Sequence, residues 1–193
     1  MREEPRAGGI LSLLKSATGR DGLQGPRPGV IFRAMVSPYA QHVGDQDPVA
    51  VLRSSLAAYQ DTICRLTSST WQKPWAPQKW TAEQIMVHVA QWEMILGIRL
   101  RCGVAAPDYV VQPIDQDEIM RREGSVVDGQ TAFAAFDGSR RMNLAFAESL
   151  TPADRSRRFK HPEQGEIDVE YLLVTIAGHA EHHLRQIRTV IES

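Results

Sequence analysis

The chain has 193 residues, 42% of them hydrophobic and 23% charged, with a net charge of −1. That is enough for one domain with a real core plus an appendage. The near-neutral balance gives no pull toward nucleic acid or an anionic membrane surface, and apolar runs of a few residues fall far short of a membrane span.

Residues 1–46 are rich in chain breakers: Gly8, Gly9, Gly19, Gly22, Gly25 and Gly29, with Pro5, Pro26, Pro28 and Pro38. No helical or strand period survives there, so residues 1–46 read as a flexible extension, disordered up to about residue 34. Met35 opens "MVSPYAQHVGDQDP", which would also make a sensible start. The apolar part of "GGILSLLKSA" is short and broken by Lys15, so it makes no convincing secretory leader.

From Asp47 the text turns helical, and residues 47–193 read as one bundle domain. Asp47-Pro48 is an N-cap with proline at the first helical position, and Leu52, Leu56, Tyr59, Ile63 and Leu66 form an apolar stripe to about residue 67. "SSTWQKPWAPQKW" is a loop with three tryptophans. Thr81 and Gln84 then make a capping box, and Trp80 and Ile85 a hydrophobic staple. Ile85, Val89, Trp92, Leu96 and Leu100 are the stripe of this second helix, with Gly103 as its expected stop.

Residues 104–128 form a long connection with a short helix near Asp117–Arg122. So long a link suits two neighbouring helices that run the same way. A third helix follows over residues 130–149, with Phe133, Phe136, Leu144 and Leu150 facing in. After a loop, "TPADRSRRFKHPEQGE", Asp168 caps the last helix, stapled by Ile167 and Leu172. No strand pattern emerges. The expected fold is all-α, a four-helix bundle.

Three of the six histidines crowd the last helix: His179, His182 and His183. Val169, Leu172, Leu173, Ile176, Ala180, Leu184, Ile187 and Ile191 define its buried face. On a helical wheel His183 falls inside that face and His179 at its edge, about 40° away. His182 lies about 100° from His183 and is expected to face solvent. Two imidazoles one turn apart can share a metal ion. His88, at the edge of the second helix's apolar face, can complete a three-histidine set if the two helices are neighbours. The zinc-peptidase pattern H-E-x-x-H does not apply. In His179-Ala180-Glu181-His182-His183 the glutamate points away from the buried face.

"WTAEQIMVHVAQWE" and "GHAEHHLRQI" resemble the DinB-like superfamily of metalloenzymes, through Trp80, Thr81, Gln84 and His88 in the first stretch and His179, His183, Gln186 and Ile187 in the second. "HPEQGEIDVEYLL" is similar to the family's approach to its last helix. The resemblance covers residues 47–193. It implies an up-down-down-up bundle and a divalent metal, zinc or nickel, held by His88, His179 and His183. It also implies metal-dependent chemistry on a small molecule, with a low-molecular-weight thiol as co-substrate of an S-transferase. The alternatives are a metal-dependent hydrolase and a non-catalytic, metal-binding or dimerising bundle. Homodimer formation enters by analogy alone.

Three neutral histidines leave coordination positions open, as catalytic sites do. Glu93 sits in the apolar arc of its helix, where it either orients a metal ligand or pairs with an arginine on a neighbouring helix. Gln186 has helix packing or a water bridge as its roles. Trp71, Trp75 and Trp80 line a substrate mouth or cap the open end of the core. Cys64 and Cys102 have no partner by spacing and read as packing residues, consistent with a reducing, cytoplasmic setting.

Overall fold

The computed structural model describes residues 35–106 and 108–192. Four long helices dominate: α2 (Pro48–Ile63), α4 (Ala82–Ala105), α6 (Gly129–Glu148) and α8 (Val169–Glu192). Short helices precede or join them: α1 (Ala40–Val43), α3 (Ser68–Trp71), α5 (Gln116–Glu123) and α7 (Pro152–Arg155).

The helix starts follow local chemistry. Thr81 Oγ1 accepts from Gln84 N at 3.2 Å, and Gln84 Oε1 accepts from Thr81 N at 3.0 Å, closing the capping box of α4. Asp168 Oδ1 accepts from Tyr171 N at 2.8 Å, and Ile167 and Leu172 are both buried beside it. Asp47 occupies the N-cap position of α2 without a capping bond. Its carboxylate pairs instead with Arg155, 3.0 Å away.

Side-chain pairings set the directions of the helices. Glu83, early in α4, accepts from Gly129 N at the start of α6. Further along, Glu93 pairs with Arg140 and Arg101 with Asn143. The numbers rise together, so α4 and α6 are parallel. Arg53 pairs with Glu148 and Gln60 with Asp137, so α2 and α6 are antiparallel. Tyr59 donates to Ala180 O and Arg188 to Thr62 Oγ1, so α2 and α8 are parallel. The bundle runs up, down, down, up. α4 packs between α6 and α8, and α2 closes the ring. The chain returns along the bundle through residues 108–128, as two parallel neighbours require.

Several expectations need correction. The stretch expected as a plain loop after α6 holds α7 and a β-hairpin, β1 (Arg158–His161) and β2 (Gly165–Asp168), with Phe159 opposite Ile167. Both of those side chains are buried, whereas their strand neighbours are not. Four-residue strands are too short to show a clear alternation in sequence. Residues 109–111 join the hairpin edge: Val111 N donates to Lys160 O at 2.8 Å and Lys160 N to Tyr109 O at 3.1 Å. Gly103 does not stop α4, which continues to Ala105. A Cβ there would stand 2.7 Å from the Phe159 ring, so glycine admits the hairpin against the helix. Helix one ends at Ile63, short of residue 67, because Thr67 starts α3 with its own capping box.

The extension expected over residues 1–46 divides in two. Residues 1–34 lie outside the described residues. Residues 35–46 include α1, with Ser37 and Val43 buried and α1 packed on α8. Thr175 Oγ1 donates to Ser37 Oγ at 2.9 Å. Gly178 makes this approach possible, since a Cβ there would come within 2.3 Å of Tyr39 O. Among the described residues no helix is long and apolar enough to cross a membrane.

Candidate metal centre

His88 lies on the second turn of α4, and His179 and His183 lie on successive turns of α8. Each is at most 6% exposed. Neighbouring antiparallel helices bring them together across one seam. His88 Nε2 and His179 Nε2 are 3.0 Å apart, and one ligand nitrogen from each of the three rings lies within 4.8 Å of the others. Among the described residues this is the one group of three or more histidine, cysteine or carboxylate side chains spaced to hold a metal ion.

All three rings are held uncharged at neutral pH. Burial pushes the His183 imidazole down to about 3; the hydrogen bond to Gln186 partly opposes this, while His182 and His42 add to it. Burial also holds His179 well below its ordinary value, helped by His183 and His88. His88 is lowered in the same way by burial, then by His183 and His182. Each ring therefore keeps a lone pair to offer.

Their second nitrogens differ. His183 Nδ1 donates to Gln186 Oε1 at 2.7 Å, which leaves Nε2 as its ligand atom. Gln186 Nε2 in turn donates to His182 Nε2 at 3.3 Å. His88 Nδ1 is sealed from solvent without a hydrogen-bond partner. Its Nε2 meets only another imidazole nitrogen. Two neutral rings placed nitrogen to nitrogen can share at most one proton, whereas a cation accepts both lone pairs. A 3.0 Å separation is close to the edge between adjacent nitrogens bound at about 2.0–2.1 Å to one ion. The donor set fits a divalent metal.

Aromatic rings border the cluster. Trp80 lies 4.9 Å from His88, Trp92 lies 6.3 Å from His88 and 6.2 Å from His179, and Tyr39 meets His179 edge-on at 5.2 Å. Trp80 and Trp92 are half-buried, whereas Trp71 is buried over Gly129. His182, expected in solvent, is half-buried against Tyr39 at 5.9 Å and His42 at 4.9 Å. The wheel placed it correctly outside the helix stripe, but residues 37–43 fold back over that side of α8. Glu93 takes the arginine role, paired with Arg140 at 2.7 Å with both side chains buried. Cys64 and Cys102 are free thiols, and neither joins the cluster.

Tyr39 borders the cluster, and Arg99 stands over Trp92, 5.5 Å from its ring. Tyr39 has no periodic signal. Arg99 has one, because eleven residues after His88 it falls about 20° from it on the wheel, inside an apolar arc.

A helical bundle with a buried three-histidine cluster is what the fold and the site define. A family model described as the DinB superfamily matches residues 52–187, and the chain belongs to that superfamily. A protein of Oceanobacillus iheyensis, provisionally named a metal-dependent hydrolase, is 24% identical over 131 residues, which span 68% of this chain and 76% of the relative. One from Bacillus mycoides with the same provisional name is 24% identical over 164 residues, spanning 85% and 90%. Among solved structures, YfiT from Bacillus subtilis matches with a TM-score of 0.68 at 20% identity, covering 88% of this chain and 92% of that one. It is described as a probable metal-dependent hydrolase with an unusual four-helix bundle topology. This likeness shows the fold.

Proposed function

We propose that His88, His179 and His183 hold a divalent ion, zinc or nickel, and that the chain is a metal-dependent enzyme acting on a small molecule. The observation that carries this reading is the convergence of three buried, uncharged imidazoles within 4.8 Å of one another. A divalent ion held there supplies Lewis acidity, which lowers the pKa of a water or thiol that it binds.

The chain's own residues prepare that chemistry. Gln186 holds His183 in the tautomer that presents Nε2. Trp80 and Trp92 reduce the access of water to the rings, which strengthens electrostatic interactions inside.

The reaction we favour is thiol-dependent S-transfer, with a low-molecular-weight thiol as co-substrate. Among the described residues no carboxylate joins the three histidines at metal-ligand spacing. The buried Glu93 gives its oxygens to Arg140 and Asn143. A thiol, ordinarily near pKa 8.5, needs far less help to ionise than water at about 15.7, so it suits a ligand set made of histidines alone. Hydrolysis is the second reading, supported by the provisional names of the relatives.

The test uses chelated protein reloaded with zinc or nickel. It is assayed with a chromogenic electrophile plus glutathione, bacillithiol or mycothiol, and separately with a chromogenic ester alone. Thiol-dependent, metal-dependent turnover that vanishes in His88→Ala supports S-transfer. Ester turnover without thiol moves the reading to hydrolysis. Stoichiometric metal with no turnover in either assay leaves a non-catalytic metal-binding bundle.

A further inference from the structure

Arg99 is 8% exposed, yet among the described residues no carboxylate lies within 4.0 Å of it. One Nη2–H donates to Gln112 O at 2.8 Å. Tethering a carbonyl needs no positive charge; a neutral amide would do it. The guanidinium carbon stands 5.5 Å over the Trp92 ring. Nε and Nη1 have no hydrogen-bond partner among the described residues and are not fully sealed, since there only His42 Nδ1 and His88 Nδ1 are both sealed and partnerless. Burial draws Arg99 below the ordinary guanidinium value, partly countered by Tyr109 and the exposed Glu163. A largely buried cation whose remaining donors find no protein acceptor keeps hydrogen-bonding capacity for a ligand.

The position links this group to the triad. Arg99 and His88 share one stripe of α4, and Trp92 lies between them. The 5.5 Å from guanidinium carbon to Trp92 ring and the 6.3 Å from there to the His88 ring limit the separation to about 12 Å. That is roughly the reach of three extended residues.

We infer that Arg99 is an anion-recognition subsite of the same centre, taking the carboxylate of a small-molecule substrate whose apolar middle lies along Trp92. This rests on the triad being the reactive centre. A planar guanidinium fork matches a carboxylate in two parallel hydrogen bonds. A phosphate dianion would ask for a second positive charge. His161, whose interaction with Arg99 is repulsive, is held below its ordinary value by burial first and by Arg99 second.

The test reads the Arg99 Nε–H resonance in metal-free protein labelled with nitrogen-15, assigned with Arg99→Lys. Phenylacetate, phenylacetamide and phenyl phosphate are titrated at constant ionic strength. The expected result is a saturable shift of Arg99 with phenylacetate at least tenfold tighter than with phenylacetamide, and a weaker response to phenyl phosphate. Arg99→Gln should bring acid and amide within twofold by calorimetry; the wild-type titration decides alone if that variant does not fold. Equal response to acid and amide, a stronger response to phenyl phosphate, or a shift shared equally with exposed Arg53 and Arg158 would overturn the assignment. The readout needs no metal, so a triad that fails to bind metal leaves the anion result standing on its own. A silent Arg99 beside a metal-loaded triad removes only the subsite.

Discussion

On the α4–α6 seam, Arg140 is fully buried and all of its nitrogens have acceptors. Nε and Nη2 reach the two oxygens of Glu93 at 2.9 and 2.7 Å, and Nη1 reaches Ser55 Oγ at 2.7 Å and Leu52 O at 3.3 Å. Asn143 adds a bond to Glu93 Oε1 at 2.8 Å. On the α4–α8 seam, His88 and His179 meet each other, and His88 Nδ1 meets nothing. Both clusters hang from α4, about 140° apart on its wheel. The first satisfies itself, as a buried network must if it only supports the fold. The second brings one ring nitrogen from each of three histidines within 4.8 Å of the others and leaves His88 Nδ1 without a partner, and it is the receptor seam of the proposed metal site.

The sharpest way to break this comparison is to open the satisfied seam. Arg140→Met strands the Glu93 charge inside the bundle and should cost about 3–5 kcal/mol, read from urea unfolding. A cost below about 1 kcal/mol would mean the network is not the scaffold.

The next effect concerns the receptor seam. Purified protein should carry close to one equivalent of zinc or nickel by elemental analysis, and His88→Ala and His183→Ala should carry almost none. Added metal should stabilise the wild type by about 2.7 kcal/mol at a hundredfold excess over Kd, and neither variant by a comparable amount. Metal that persists in both variants would place the ion elsewhere.

Acid should weaken the metal-free protein through the same seam. The folded pKa values of the three rings lie below the unfolded value of about 6.5, so the unfolded chain binds more protons in between. Stability from this source is fully present above about pH 6.5 and falls as the pH drops toward about 3, the value for His183. The limiting slope is about 1.4 kcal/mol per pH unit for each ring. Equal urea midpoints at pH 7 and pH 5 would show that the rings are not held neutral.

The smallest effect is Gln186→Leu, which removes the acceptor of His183 Nδ1–H. Metal affinity should fall about tenfold by competition titration, with the unfolding midpoint nearly unchanged. An unaltered affinity would reduce Gln186 to helix packing.

Much of the fold was legible because helices announce themselves locally. The Thr81–Gln84 box, the Asp168 cap and the stripes on α2, α4 and α8 depend on residues three or four positions apart. The hairpin was hidden because its evidence is the pairing of Phe159 with Ile167, and neither strand alone is long enough to show a pattern. Gly103 misled for a related reason: its meaning is the Phe159 ring pressed against it from outside the helix. The segment over residues 37–43 is held by Gly178 and Thr175, which lie more than a hundred positions away.

The site divides in the same way. Periodicity alone put His179 and His183 on the inward side of one helix and His88 at the edge of another, because a residue's azimuth follows from its number once the helix is given. That the two helices are neighbours, that one nitrogen from each of the three rings comes within 4.8 Å of the others, and that Tyr39 and Trp92 border them depended on how the bundle closes. Turn-by-turn geometry is local and additive, so a chain carries it in plain order. Proximity across a seam is settled by burying every apolar stripe at once, which no single stretch of residues specifies.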